Sequence, residues 1–172
     1  ARIAGTASWH SISRDPSGTL RGLAFLVTLL GVAMVSLRFT ASERGRFLVL
    51  AGVGSVCGLA ALVTGLHTVL NAESLYGLYL PLHASPPILG PLLNPNHLGC
   101  LMSLGATDAL GLAFYERQTP QWRALWAVVA FGCASMALAS ESRGAAIGLA
   151  FGIAVTGAVL LGQRLGDVSS RR

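Results

Sequence analysis

Two short polar runs carry side chains suited to binding an anion or a hydroxyl-rich ligand. The first is Asn94-Pro95-Asn96-His97-Leu98-Gly99, which sets two amides and an imidazole directly ahead of an apolar block. Amides both donate and accept, and imidazole can do either near neutral pH, so the trio suits hydroxyls or phosphate. A plainer role fits the same spacing, with Asn94 and Asn96 capping a helix and His97 resting at a membrane interface. The second run is Ser140-Glu141-Ser142-Arg143-Gly144, again just ahead of an apolar block. A guanidinium binds phosphate through paired hydrogen bonds, and a helix N-terminus beside it favours an anion. Its plainer role is an arginine that reaches lipid headgroups or pairs with Glu141.

Long apolar segments must position these runs. Hydrophobic residues make up 53% of the chain and charged residues 11%, too few to cover a water-soluble globule of 172 residues. The apolar residues come in blocks near 20–37, 47–70, 98–114, 124–140 and 145–162. Each is close to the ~20 residues a helix needs to cross the hydrocarbon layer. The seven prolines, Pro16, Pro81, Pro86, Pro87, Pro91, Pro95 and Pro120, all fall between the blocks, as helix breakers should. The expected fold class is all-α: a polytopic transmembrane helical bundle of about five spans, forming part of a single membrane-embedded domain. The lipid bilayer is then its first partner.

Charge placement sets the expected orientation and excludes one function class. All twelve bases are arginine, scattered between apolar blocks rather than gathered in a patch, so nucleic acid is not an expected partner. One face would carry Arg38, Arg44, Arg46, Arg117, Arg123, Arg164, Arg171 and Arg172. The other would carry Arg2, Arg14, Arg21 and Arg143, and no base falls between Asn71 and His97. The excess of positive charge on cytoplasmic loops puts the eight-arginine face inside. The 71–97 and 141–144 segments then face outward. No signal peptide is visible, both ends look cut, and the chain reads as a piece of a longer protein.

Small residues recur at helical spacing. Gly144, Gly148 and Gly152 form one ridge; Gly99, Ser103, Thr107 and Gly111 form another. Ridges of this kind let helices approach closely inside lipid, so packing is their expected role. Cys57, Cys100 and Cys133 lie in apolar blocks without C-x-x-C spacing and read as packing residues, neither a disulfide framework nor a metal site.

Together the polar runs carry a resemblance. Asn-Pro-Asn-His-Leu-Gly opening one span, and Ser-Glu-Ser-Arg-Gly-Ala opening a span two further on, resemble the N-x-N-H-x-A/G and S-R-G motifs of the O-antigen ligase and O-antigen polymerase superfamily. The polar lead Ser11-Ile-Ser-Arg-Asp-Pro looks like that family's extracytoplasmic approach segment, and the resemblance covers essentially the whole chain. It implies a metal-independent glycosyltransferase of the bacterial inner membrane, with no cofactor. Such an enzyme moves a glycan from a polyprenyl-diphosphate carrier to an acceptor hydroxyl on a lipid or polysaccharide. Arg143 would contact the donor diphosphate, and Ser142, Asn94, Asn96 and His97 complete the candidate substrate-binding set. The family's general base, a histidine in a His-Asn motif on a downstream outer loop, would lie past Arg172. No catalytic residue is therefore assigned within this chain.

Two further ionisable residues stand outside the motifs. Asp108 falls inside the third block, where a charge is costly and a functional role is the default hypothesis; a structural hydrogen bond or a neutral carboxyl would also account for it. His67 falls near the outer end of the second block and reads as an interhelical hydrogen-bonding residue or the lining of an outer cavity. These two support the rival readings, a transporter or channel subunit with a polar pathway, or a non-catalytic membrane scaffold.

Overall fold

The computed structural model describes residues 15–80, 88–115 and 118–170, with side chains described as far as 163. Five helices follow in order: α1 (Pro16–Thr40), α2 (Glu43–Val69), α3 (Pro95–Ala113), α4 (Pro120–Ala139) and α5 (Arg143–Ser170). Among the described residues the only β-type pairing is an isolated bridge between Leu75 and Tyr79. The protein is an all-α helical bundle. Four of the helices, Pro16–Thr40, Glu43–Val69, Pro120–Ala139 and Arg143–Gln163 within α5, are long and apolar enough to cross a membrane. It is a multi-pass membrane protein.

The helices begin ahead of the apolar blocks because their first turns are polar. Pro16, Pro95 and Pro120 each open a helix, where the missing N–H would have had no intrahelical partner. Asp15 caps α1: its Oδ1 accepts from the Gly18 N–H at 2.9 Å and from the Ser17 hydroxyl at 2.8 Å. Those bonds, the Gly18 one foremost, hold its carboxyl below the usual range. Asn94 caps α3 in the same way. Hydropathy sees none of these polar turns, nor the polar end of α5 past 162.

The chain divides into two units, Ala1–Arg46 and Phe47–Arg172. In the first, α1 carries apolar side chains all round, the surface lipid requires, and among the described residues none of its residues is buried. Its link to α2 is tight: the Ser42 hydroxyl accepts from the Gly45 N–H at 3.0 Å, and the Arg46 guanidinium donates to the Thr40 carbonyl at 3.2 Å.

In the second unit α3 is central, with eight buried residues, and packs on both α4 and α5. Cys57 and Ala61 of α2, Leu98, Met102 and Ala106 of α3, Cys133 and Ala137 of α4 and Leu149 of α5 form one core. Gly105 is where three helices meet, since a methyl there would collide with Cys57 and come 3.1 Å from the Cys133 sulfur. Close backbone approach of this kind supplies the dispersion contacts that associate helices in lipid.

Helix α3, the third expected span, is less apolar in composition than the other four helices: Asn96, His97, Ser103, Thr107 and Asp108 dilute its apolar character, and packing against α4 and α5 shields much of it. Two expectations are corrected here. The glycine ridges pack only in part: Gly152 abuts Thr107, and Gly99 abuts Ser140 and Ala145, but Gly111 and Gly148 face open space. Gly144 and Gly148 instead flank a groove of about 280 Å³ between α3 and α5. Cys57 and Cys133 are buried packing residues, whereas Cys100 is exposed and lines that groove.

Contacts separate the two ends of this unit. At one, Phe47 stacks on Tyr115 with ring centroids 5.6 Å apart, and the Arg123 guanidinium donates to the Tyr115 carbonyl at 3.5 Å. The other end gathers the last turn of α2, the segment before α3, and the α4–α5 turn.

Candidate functional site

The α4–α5 turn consists of three residues, and its local chemistry explains its shape. Ser140 ends α4 with its N–H donating to the Met136 carbonyl at 3.0 Å and its hydroxyl donating to the Ala137 carbonyl at 2.7 Å. Glu141 then takes a left-handed backbone, φ 56°, which reverses the chain. Ser142 starts α5: its Oγ accepts from the Ala145 N–H at 3.2 Å, the side-chain cap that frees Arg143 to be the first helical residue.

This turn and the start of α3 are joined side chain to side chain. The Ser142 hydroxyl donates to Asn96 Oδ1 at 2.9 Å. Two turns further along α3, the Ser103 hydroxyl donates to the Ala145 carbonyl at 2.9 Å, buried. Gly99 sits between these bonds, and its lack of a side chain lets α3 lie against Ser140 and Ala145. The two polar runs therefore form one hydrogen-bonded corner.

The five candidate residues divide within that corner. Asn94 is a cap, its Oδ1 accepting from the Asn96 N–H at 2.9 Å. Asn96 turns its carbonyl oxygen to Ser142 rather than capping the helix. Ser142 is buried, while His97 and Arg143, each the residue after one partner of that bond, are exposed. Among the described residues Arg143 forms no ion pair with Glu141. Arg143 thus stands at the N-terminus of a long helix, directly ahead of Gly144 and Ala145 in the wall of the α3–α5 groove. Such a corner can bind an anionic group in the plane of the polar turn and an apolar chain along the helices.

Ser140 and Gly99 are the residues that spacing alone underrated. Ser140 is 1% exposed and holds the turn; its only signal in sequence is a hydroxyl at the end of an apolar block. Asp108 faces protein, as expected of a carboxyl in a span. Its Oδ2 is buried, on the open side of Gly54 and near Trp126 and Leu112. His67 bonds the connecting segments rather than a neighbouring helix. Among the described residues no three His, Cys, Asp or Glu side chains cluster as metal ligands would. The Ser11–Arg14 lead, Arg2, Pro81, Pro86, Pro87, Arg117, the Arg164 side chain, Arg171 and Arg172 lie outside the described residues.

Comparison with family models, with curated proteins and with solved structures returns no match. The fold and this corner therefore define the class, a multi-pass α-helical membrane protein, on their own evidence.

Proposed function

We propose that this chain is part of a bacterial inner-membrane glycosyltransferase of the O-antigen ligase or polymerase type. It would move a glycan from a polyprenyl-diphosphate carrier to a hydroxyl of a lipid or polysaccharide acceptor. The observation that carries the reading is the Ser142–Asn96 hydrogen bond, which joins the two motifs whose resemblance suggested the activity. Support comes also from the exposed Arg143 at the head of α5 and from the adjoining groove, an arrangement suited to a diphosphate with an isoprenoid tail. In this reading the corner faces the outer side, as the arginine distribution favours. The acceptor hydroxyl attacks the anomeric carbon, the bond from that carbon to the diphosphate oxygen breaks, and the polyprenyl diphosphate leaves. Arg143 stabilises the charge growing on the leaving group, and a base outside this chain takes the hydroxyl proton.

The test is glycan transfer by the full-length protein carrying Arg143→Ala or Arg143→Lys, with membrane abundance checked by blotting. Loss of a contact that strengthens in the transition state should cost a few kcal/mol, on the order of 10²-fold in rate. Lysine keeps the charge but not the paired donors, so it should fall short as well. Wild-type transfer by Arg143→Ala would refute the assignment.

A further inference from the structure

His67 lies in the last turn of α2 and uses both ring nitrogens on backbone groups remote in sequence. Its Nε2 accepts from the Tyr76 N–H at 3.2 Å, and its Nδ1 lies 3.1 Å from the Leu89 carbonyl. A carbonyl can only accept, so Nδ1 carries the proton and donates. The two contacts together specify one tautomer of the neutral ring.

Both bonded segments depend on that ring. Leu75 to Leu78 form a tight turn closed by the Leu78 N–H donating to the Leu75 carbonyl at 3.0 Å. Its central residues, Tyr76 and Gly77, have φ of 54° and 72°. Glycine accepts such a backbone freely, whereas a bulky tyrosine does so only where its surroundings enforce it. Two constraints enforce it: the paired backbone bonds between Leu75 and Tyr79, at 2.7 and 3.1 Å, close the turn, and the His67 bond to the Tyr76 amide, with the two rings edge to face at 5.7 Å, ties it to α2. On the other side, Leu89 is followed by Gly90, which fits against Thr64 and Leu98, and the chain then runs directly to the Asn94 cap.

We propose that His67 is a proton-operated positioning residue: its neutral Nδ1–H form ties the 75–79 turn and the 88–94 segment to the end of α2, and protonation at Nε2 releases the turn. A second proton on the ring converts Nε2 from acceptor to donor, so it and the Tyr76 N–H then point hydrogens at each other. The Leu89 bond survives, because Nδ1 still donates. The release is therefore selective: the Tyr76 amide loses its partner while the approach to α3 stays tied. Imidazole is the side chain whose ordinary charge change falls between about pH 5 and 8, the range over which the release is sought. Tyr76 faces the ring from the turn, and Leu89 faces it from the segment before α3. Glu73 and Tyr79 are the other titratable groups of the 71–80 loop, and among the described residues neither they nor His97 pairs with His67. This inference is independent of the proposed enzymatic activity.

Full-length protein in nanodiscs, labelled with ¹⁵N-histidine, gives the tautomer directly, and hydrogen exchange gives the protection of the Tyr76 amide. The expected result is an Nδ1–H ring at pH 7.5. On going to pH 5.5, Tyr76 protection, corrected for intrinsic exchange, should fall by roughly threefold or more. His67→Gln, neutral at every pH, should abolish that pH dependence. An Nε2–H ring at pH 7.5, constant Tyr76 protection in the wild type, or the same fall in His67→Gln would each overturn the proposal. If His67→Gln does not fold, the two wild-type measurements decide.

Discussion

The Ser142 hydroxyl donates to Asn96 Oδ1 across 46 residues of sequence, while the same oxygen accepts from the Ala145 N–H. One side chain thus caps α5 and ties it to α3. Ser142→Ala should remove both, at about 1 kcal/mol for the cap and about 1 kcal/mol more for the interhelical bond. Asn96→Ala should remove only the second. A double-mutant cycle read by unfolding in detergent should return a coupling of about 0.5–1.5 kcal/mol. Strict additivity would mean the bond contributes nothing.

The glycines at the α3–α5 contact should behave oppositely although both belong to small-residue ridges. A methyl at Gly99 would come 2.5 Å from Ser140 Oγ and 2.6 Å from the Ala145 Cβ, so Gly99→Ala must part α3 from the turn. Overpacking of that order costs about 1–3 kcal/mol. Gly148 faces open space, so Gly148→Ala gains helix propensity, up to about 1 kcal/mol, at no steric cost. Thermal unfolding of the two variants in one detergent distinguishes them. Equal destabilisation would contradict the packing described.

What could be foreseen from sequence follows from what periodicity encodes. Apolar blocks and the prolines between them located five helices, because hydropathy and ring geometry act locally. Asn94 before Pro95 was legible as a cap for the same reason. Asn96 was not: an amide two positions on looks like a second cap, and nothing local says that Ser142 will lie opposite. Glycine every fourth residue marks a smooth face without naming what fills it. Gly152 met Thr107, while Gly148 met a groove. The centrality of α3 was hidden for a related reason. Its polar residues lower hydropathy, yet helices on several sides are what allow Asp108 to sit there with its Oδ2 buried.

Orientation can be checked at exposed positions of the two ends. Glu73 lies on the segment after α2, and Gln121 on the first turn of α4, at the end where Arg123 meets Tyr115. With the native cysteines replaced, Glu73→Cys should react with an impermeant thiol reagent in intact cells. Gln121→Cys should react only after permeabilisation, since the arginine excess places its end inside. The reverse pattern would invert the topology and remove Arg143 from the outer face.

Glu141 offers a test of the turn itself. Its left-handed backbone costs an L-residue about 1–2 kcal/mol, a penalty glycine escapes. Glycine loses more freedom on folding, about 0.5–1 kcal/mol, so the net gain for Glu141→Gly should be a few tenths to about 1 kcal/mol. No side-chain interaction offsets it, since among the described residues the carboxylate pairs with neither Arg143 nor Ser142. Glu141→Val should go the other way, because a β-branched side chain tolerates positive φ least. Unfolding midpoints of the three proteins should rank glycine above glutamate above valine. A loss of stability in Glu141→Gly would show that the glutamate side chain, and not only the backbone reversal, holds the corner on which Arg143 stands.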